Sequence, residues 1–476
     1  MGRRIKPFDV SAATIEDAVS DGRAMFRHDG RVVFVERGVP GDIADVHVFR
    51  KKKKMLIGEI SQIQQPSADR TDPACQHFGT CGGCKWQMMT YGAQLRYKQK
   101  HVTDAFQRIG KLASEEIRPI LGNETPYFYR NKLEFTFSQK PWLTREEIAS
   151  GEEFIRPSLG FHVPGVFDKV LDLETCHLQL PIVNEIRNEV KRFAIEKGIT
   201  FYNVREHAGM LRNLMFRSST ATGEIMLLLI LTYDRPKVAE QIFSHLETKF
   251  PQITQFLWLH NPKLNSSYSE LPYHIWKGDG FLTEKLGKWS FRISPTSFFQ
   301  TNTRQAERLY EVVKELTEKS LPPGKEQHDC VYDLYSGTGS IGIFVSELAK
   351  KIVGIEYVQS SVIDAQANTA LNRLDHFSFH AGDMKNLLQE PLIISEGRPD
   401  LIITDPPRAG MDPKVVERLK EIAPKHIIYV SCKPATQARD IDLLREQYTL
   451  KLIQPVDMFP QTAHVENVAW LERKEG

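Results

Sequence analysis

A repeated strand-then-helix pattern in the C-terminal part of the chain constrains the fold more than any other feature of the sequence. Short apolar, strand-like segments cover residues 330–335, 352–356, 401–405 and 427–431, and segments of helix length separate them. Such alternation predicts a mainly parallel, doubly wound sheet. Ligands of such sheets bind at the carboxyl ends of the strands, so the residues that end these segments are the first candidates for function.

The chain of 476 residues is too long for a single hydrophobic core, and its pattern divides it into several regions. Residues 1–66 contain short alternating runs separated by Gly and Pro turns, which predicts a small β-barrel. Residues 67–91 and 126–270 mix strand-like and helical stretches, and we interpret them as an α+β central domain. We assign residues 92–125 and 271–476 to the α/β domain.

Composition is that of an ordinary globular protein. The 62 Lys and Arg nearly cancel the 60 Asp and Glu, so any surface for nucleic acid must be local. The run Arg50–Lys54 is either a phosphate contact or a solvated strand end.

No apolar run reaches about 18 residues, residues 1–10 lack the apolar core of a signal peptide, and cysteines are few. We therefore expect a cytoplasmic protein without a membrane segment, and we infer no obligate protein partner.

A glycine-rich turn follows the first predicted strand of the sheet. Asp333–Gly342 contains Gly337 and Gly339, which lie where the backbone must pass close to a ligand. Glu356 ends the second strand, where its carboxylate can accept hydrogen bonds from both hydroxyls of a ribose. NAD and S-adenosylmethionine both contain that ribose, so these residues alone leave both ligands open.

The strand-like segment at residues 401–405 ends in an acidic turn, Asp405-Pro406-Pro407, at the same edge of the sheet. The two prolines fix φ and hold the carboxylate rigidly toward the ligand. This turn favours S-adenosylmethionine over NAD, although proline turns also follow strands for purely structural reasons.

A cysteine stands directly after the strand-like segment at residues 427–431. Cys432 lies ahead of a predicted helix and beside Lys433, and both features are expected to lower the thiol pKa from about 8.5. Most cysteines are simply buried, which is our interpretation of Cys330. A thiolate can add to carbon 6 of uracil and so make carbon 5 nucleophilic toward a methyl sulfonium. A base must then remove the proton from carbon 5, and Glu466 is the candidate, with His464 as its competitor.

Taken together and in chain order, these motifs resemble those of the RNA uracil-5-methyltransferase family. They are Ser297–Asn302, Asp333–Gly339, Asp405–Gly410, Ser431–Thr436 and His464–Glu466. The first region resembles the RNA-binding TRAM domain of the branch that methylates 23S ribosomal RNA. The resemblance implies a multidomain protein with an OB-like TRAM β-barrel, an α+β central domain with an iron–sulfur site, and a C-terminal α/β, Rossmann-like class I methyltransferase domain.

The resemblance also implies roles for individual residues. Cys432 is expected to be the nucleophile and Glu466 the proton acceptor, while Asp383 is expected near the adenine. Two positions depart from the family pattern: Lys433, where members often have Asn, and Ser340, where cluster-bearing members can carry a larger polar residue. The residues expected to bind S-adenosylmethionine are Gln300, Tyr335, Gly337, Gly339, Glu356, Asp383 and Asp405.

Four cysteines form a candidate metal site. Cys75, Cys81 and Cys84 follow a C-x5-C-x2-C spacing, and Cys176 could complete the set. Spacing alone leaves open a zinc ion held by four thiolates or by three thiolates and a neighbouring histidine. The family resemblance implies a [4Fe-4S] cluster instead. Because a fourth cysteine is present, radical chemistry is disfavoured and a structural or RNA-positioning cluster is expected.

The expected partner is RNA, because the chemistry needs an unpaired or flipped-out uridine. Tyr127–Lys132 interleaves aromatic and cationic residues, which suits base stacking and phosphate contact but is equally typical of core aromatics with charges at their rim. The TRAM and cysteine features favour 23S rRNA, with the tRNA T-loop as an alternative. Three rival functions stay open: an RNA cytosine-5-methyltransferase, a catalytically inactive RNA-binding homologue and, on the glycine loop alone, a nicotinamide dehydrogenase.

Overall fold

The computed structural model describes residues 3–52, 55–143, 145–152, 154 and 156–475. Lys53 and Lys54, which belong to the predicted basic run, lie outside the described residues. Within the described part of the chain, no helix is both long enough and apolar enough to cross a bilayer.

The N-terminal region is a six-stranded sheet in the order β1-β5-β6-β4-β3-β2, so its two outer strands follow each other in the chain. The strands are β1 (Arg3–Thr14), β2 (Asp17–Ala18), β3 (Ala24–His28), β4 (Arg31–Glu36), β5 (Ile43–Lys52) and β6 (Met55–Gln65). Only β4 and β6 pair in parallel within this sheet of described residues. Alternate side chains, among them Val33, Val35, Val46 and Val48, form its buried core, as the two-residue period of a strand requires.

Helix α1 (Tyr91–Asp104) and the short strand β7 (Glu116–Ile117) follow the cysteine-rich segment but pack against the C-terminal part of the chain. A π-helical turn, Ala105–Gly110, continues α1. Val102 and Phe106 are buried in the C-terminal core, and β7 forms the outer strand of the C-terminal sheet.

The central region is a seven-stranded sheet in the order β10-β9-β8-β11-β12-β13-β14. Its strands are β8 (Lys132–Ser138), β9 (Ser158–His162), β10 (Val170–Asp172), β11 (Leu211–Ser218), β12 (Ile225–Leu231), β13 (Ile253–His260) and β14 (His274–Lys277), and its helices are α2 (Arg145–Ser150), α3 (Pro181–Glu196) and α4 (Pro236–Lys249). Leu227 and Leu229 of β12 pack against α3 and α4, whereas Leu228 and Ile230 enter a second core. The apolar run of β12 is therefore buried on both faces.

The C-terminal region is an eight-stranded, mainly parallel sheet preceded by a hairpin. The hairpin consists of β15 (Leu282–Leu286) and β16 (Trp289–Ile293), and the sheet strands that follow are β17 (Val331–Leu334), β18 (Ile352–Glu356), β19 (Phe377–Ala381), β20 (Leu401–Thr404), β21 (His426–Ser431), β22 (Tyr448–Val456) and β23 (Glu466–Arg473). The helices are α5 (Thr303–Lys319), α6 (Ser340–Phe344), α7 (Gln359–Leu371), α8 (Met384–Leu387), α9 (Glu390–Glu396), α10 (Pro413–Ile422) and α11 (Pro434–Leu444), with a 3-10 turn at Ser346–Leu348.

The strand order of this sheet is β19-β18-β17-β20-β21-β23-β22-β7. β17 to β21 are parallel, whereas β23 runs antiparallel to both of its neighbours. Ile402 and Ile427 point into one core together with α10 and α11, and Ile403 and Ile428 point into the other together with α5. The doubly wound sheet predicted from the strand–helix alternation is confirmed.

Candidate active site

The candidate site lies at the carboxyl edge of the parallel strands. Between β17 and β20 the strand order reverses, and such a reversal opens a crevice between the loops that leave the sheet. Tyr335 follows β17, Glu356 ends β18, Asp405 follows β20 and Cys432 follows β21. Because β23 is antiparallel, its first residue, Glu466, also lies at this edge.

The pairing of β21 with β23 brings the two predicted catalytic residues together. Ser431, the last residue of β21, is paired with Asn467. Cys432 and Glu466 are each one step further toward the same edge, so they meet across the ladder although 34 positions separate them in the sequence. On the other side of β21, Tyr429 is paired with Thr404, the residue before Asp405.

These residues surround one cavity of about 980 Å³. Gly339 is the only one of the predicted cofactor and catalytic residues that does not line it. Gly339 instead precedes α6 with φ of 75°, and an added Cβ would lie 3.3 Å from both Ala365 and Phe379. The predicted residues that line the cavity are Gln300, Tyr335, Gly337, Glu356, Asp383, Asp405, Cys432 and Glu466.

The glycine turn and Glu356 hold each other in place. The Gly337 N–H donates to Glu356 Oε2 at 3.0 Å, and the Val358 N–H donates to Glu356 Oε1 at 2.8 Å. Tyr335 has φ of 61° and Gly337 φ of 55°, so the backbone turns sharply as it leaves β17. A left-handed conformation is costly for tyrosine and is typically retained where function needs it. The turn thereby fixes the position of a carboxylate in the cavity wall.

Two carboxyl groups, those of Asp405 and Glu466, face each other inside the cavity. Burial raises the pKa of Asp405 to about 7. Burial, reinforced by the negative charge of Asp405, raises the pKa of Glu466 well above its usual value, while Arg408 opposes the increase. Like charges that share a desolvated site cannot both ionise cheaply, so this pair tends to keep a proton near neutral pH.

The thiol of Cys432 is shifted in the direction opposite to the prediction. Burial, followed by the charges of Glu466 and Asp405, raises its pKa to about 11, and only Arg408 and a backbone hydrogen bond act against this. The predicted lowering by Lys433 and the start of α11 is wrong, because Lys433 extends into solvent while the two carboxyl groups face the sulfur. Without substrates, Cys432 is therefore a protonated thiol.

His464, the competing base, lies at the mouth of the same cavity. Its Nδ1 accepts a hydrogen bond from Nη2 of Arg408 at 3.2 Å. Burial and the charge of Arg408 lower the pKa of His464, so the imidazole is neutral at pH 7. The arrangement connects the loop after β20 with the loop before β23.

Sequence reasoning missed several residues of the cavity wall. Phe298 and Tyr357 expose 63% and 72% of their surface there, and Arg130, Phe459 and Thr462 contribute from other segments. Phe298 lies within Ser297–Asn302 and Tyr357 directly follows Glu356, so neighbouring motifs pointed to both. Arg130 lies within Tyr127–Lys132, the stretch singled out from the sequence for RNA contact. Phe459 reaches the cavity only through the tertiary fold, and nothing local in the sequence marks it.

The four predicted metal-binding cysteines line a second, small cavity together with His77 and His177. All four are free thiols. The Gly83 N–H donates to the sulfur of Cys81 at 3.4 Å, and Gly83 lines both this cavity and the larger one. No three His, Cys, Asp or Glu side chains of the described residues form a site for a metal ion. His77 is already engaged, since its Nε2 accepts from the Glu174 N–H at 3.1 Å.

Comparisons with known proteins show the family to which the chain belongs. Residues 281–474 match the family described as tRNA (Uracil-5-)-methyltransferase, and residues 6–61 match the TRAM domain. An uncharacterized RNA methyltransferase of Bacteroides thetaiotaomicron is 46% identical over 457 residues, which cover 95% of this chain and 99% of that protein. The chain belongs to the RNA uracil-5-methyltransferase family.

A second relative and a solved structure extend the family resemblance over the whole chain. An uncharacterized RNA methyltransferase of Porphyromonas gingivalis is 43% identical over 467 residues, covering 96% of this chain and 99% of that protein. The crystal structure of Pyrococcus abyssi tRNA (uracil-54, C5)-methyltransferase in complex with S-adenosyl-L-homocysteine is similar with a TM-score of 0.72 and 26% identity, covering 97% and 99% of the two chains. The protein is thus an S-adenosylmethionine-dependent RNA methyltransferase with an N-terminal TRAM domain and a class I methyltransferase fold.

Proposed function

We propose that this protein methylates carbon 5 of a uridine in RNA through a transient covalent bond between Cys432 and carbon 6 of the base. One observation carries the proposal: the ends of β20 and β21 and the beginning of β23 bring Asp405, Cys432 and Glu466 to the wall of a single cavity. The cavity also contains the carboxylate of Glu356, which suits the ribose of the methyl donor.

The first half of the reaction makes carbon 5 nucleophilic. Cys432 loses its proton to a carboxylate of the Asp405–Glu466 pair or to water, and its thiolate adds to carbon 6, which moves the ring electrons onto oxygen 4 as an enolate. Carbon 5 then attacks the methyl group of the sulfonium, and the electrons of the broken carbon–sulfur bond stay on sulfur. The positive sulfonium and Arg408 both favour the thiolate that burial disfavours.

The second half regenerates the nucleophile. Glu466 in its carboxylate form takes the proton from carbon 5, the double bond between carbons 5 and 6 re-forms, and the bond from Cys432 to carbon 6 breaks. Because burial and Asp405 raise the pKa of Glu466, its carboxylate is a stronger base than an exposed glutamate. We assign Gln300 and Asp405 to the polar edge of the base or the donor, and Asp383 to the adenine.

Labelled-methyl transfer tests this proposal. We expect labelled methyl groups to appear in 5-methyluridine when the protein acts on unmodified RNA, and Cys432→Ala to abolish them while RNA still binds. Cys330→Ala is the matched control, because Cys330 is a buried thiol just before β17, at the opposite end of the parallel strands. Labelling of cytidine instead of uridine, or normal turnover by Cys432→Ala, would refute the proposal.

We propose 23S rRNA as the substrate, supported by the TRAM domain and by the four cysteines, which resemble those of the branch that methylates 23S rRNA. The second candidate is the T-loop of tRNA, which is favoured by the similarity to a tRNA (uracil-54, C5)-methyltransferase. A competition experiment should separate the two candidates. When both RNAs are transcribed without modifications and offered together, only the true substrate should accumulate label at a single nucleotide.

We propose that Cys75, Cys81, Cys84 and Cys176 hold a [4Fe-4S] cluster. Four free thiols line one cavity. In a [4Fe-4S] cluster each thiolate binds a different iron atom, so the four sulfurs need not converge on one point. A single zinc ion would require them to converge. Iron and sulfide analysis with visible absorption after anaerobic purification tests it. Cys84→Ala should lose the signal and Cys330→Ala should keep it; stoichiometric zinc without iron would refute it.

A further inference from the structure

A group of three aromatic rings, of which Phe128 is exposed and Tyr127 and His177 are half-buried, lies beside the cysteine cavity. The rings of Tyr127, Phe128 and His177 lie within 6.5 Å of one another, with centroid distances of 6.5, 6.2 and 5.9 Å, and we call these three residues the aromatic platform. Its backbone is firmly held, since the Phe128 N–H donates to the His177 carbonyl at 2.7 Å. This hydrogen bond ties the segment of Tyr127 and Phe128 to the segment of His177.

Phe128 is the residue of the platform that packing does not explain. Its side chain is 44% exposed, and its backbone has φ of 55°, a left-handed conformation that is costly for phenylalanine. The adjacent Tyr129 differs, because it is buried and its hydroxyl donates to the Pro460 carbonyl at 3.0 Å. A strained backbone that presents an apolar ring to solvent indicates a surface that binds a ligand.

The platform leads directly to the active-site cavity. Arg130, two residues beyond Phe128, lines that cavity, and its N–H is bound to the Leu178 carbonyl at 2.8 Å. Arg408 lies at the same cavity. Among the ion pairs found within the described ranges, none joins Arg130 or Arg408 directly to a carboxylate. Arg408 donates to His464, and its charge also acts on Glu466.

We propose that the aromatic platform stacks unpaired bases that neighbour the target nucleotide, while Arg130 and Arg408 bind the intervening phosphates. The proposal rests on the proposed function, since the cavity must receive a nucleotide for the platform to hold its neighbours. Aromatic faces beside unpaired cations suit single-stranded RNA, whose bases and phosphates are both accessible. In a duplex the bases are stacked on one another and cannot reach the rings.

Equilibrium binding of two RNA probes tests the platform. One probe is a hairpin with a uridine-containing loop, and the other is a fully paired duplex of the same length. Phe128→Ala is expected to weaken hairpin binding about 5- to 150-fold, the range for losing one stacked base, and to leave duplex binding within about twofold. Arg130→Met should instead reduce the slope of log affinity against log salt by about one.

Tyr233→Ala is the matched control. Tyr233 is 45% exposed, close to the 44% of Phe128. It lies far from the platform, because it follows the end of β12 that pairs with Leu211, whereas Lys132 pairs with the opposite end of β11. It should leave both affinities unchanged. If Phe128→Ala and Tyr233→Ala bind the hairpin with equal affinity, the proposed role of the platform is overturned.

Two further variants separate stacking from folding. Phe128→Gly removes the ring and relieves the left-handed backbone, so it should weaken hairpin binding without lowering the melting temperature, whereas Phe128→Trp should retain the affinity. If Phe128→Gly loses stability in proportion to affinity, the residue is structural and the proposal fails. The binding experiments involve no methyl transfer, so they test the platform independently of the proposed chemistry. Failure of the proposed chemistry would appear instead in the transfer assay, as absence of labelled 5-methyluridine with the wild-type protein.

Discussion

A buried ion pair anchors the loop that leads to Glu466. Lys98 in α1 and Asp457 after β22 are both fully buried, with Nζ and Oδ1 2.5 Å apart. Lys98 also donates to the Phe459 carbonyl at 2.9 Å, and the Tyr91 hydroxyl donates to Asp457 Oδ2 at 2.8 Å. The residues that follow, Phe459 among them, line the active-site cavity. A helix from outside the sheet thus positions part of the cavity wall.

Replacing Lys98 with Met removes one charge and keeps most of the volume. The carboxylate of Asp457 is then left buried with only its neutral hydrogen-bond donors, and breaking a buried pair in this way costs about 3–5 kcal/mol. Adding Asp457→Asn should recover most of that loss, because an amide can still accept from the Tyr91 hydroxyl and leaves no uncompensated charge. Both variants are compared with the wild type by urea denaturation, from the shift of the midpoint at constant slope.

The control lies two residues further along the same helix. Lys100 is 40% exposed and pairs with Asp17 and Asp104, so Lys100→Met should cost less than about 1 kcal/mol. The reasoning is refuted if Lys98→Met costs no more than Lys100→Met, or if the double variant loses as much as the sum of its two single changes.

Three further changes probe the site itself. Burial raises the pKa of Cys432 to about 11, so in the free protein the thiolate fraction should grow about tenfold per pH unit below that value. Alkylation of Cys432 by iodoacetamide without the methyl donor, followed by mass spectrometry, should therefore speed up steadily from pH 7 to 10, and Arg408→Met should slow it; a plateau below pH 8 would contradict this. Glu466→Gln should accumulate the covalent RNA adduct, seen as a slower band on denaturing gels, while Cys432→Ala forms none. Gly339→Ala should cost about 1–2 kcal/mol of stability in thermal unfolding, because φ is 75° there, and a loss below about 0.5 kcal/mol would refute the strain argument.

The local pattern of the sequence predicted the sheet and several residues of the cavity wall, whereas Gln300, Tyr335 and Asp383 were expected there from the family resemblance. Short apolar strands separated by helices determine a parallel sheet, and parallel strands end at a common edge. Asp405 and Cys432 could therefore be placed together from the strand pattern alone. Glu356 was found in the same way, from its position at the end of the second strand.

Features that depend on contacts between distant segments were beyond the sequence. Nothing in the C-terminal pattern shows that β23 runs antiparallel, yet that direction alone brings Glu466 to the edge where Cys432 lies. The pairing of Lys98 with Asp457 joins positions 359 residues apart, and no periodicity reveals it. The pKa of Cys432 was predicted in the wrong direction because Lys433 is adjacent in sequence, whereas the carboxyl groups that matter are adjacent only in space.

The raised pKa values of this site have a role in the proposed chemistry, because they delay ionisation of the thiol until the methyl donor binds. A thiol and two carboxyl groups share one desolvated cavity, so the free protein minimises charge by retaining protons on them. A sulfonium entering this cavity brings the positive charge that makes ionisation favourable again. The same low-dielectric environment that suppresses the thiolate strengthens its attraction to the methyl donor, so the nucleophile becomes active where the methyl group is already in place.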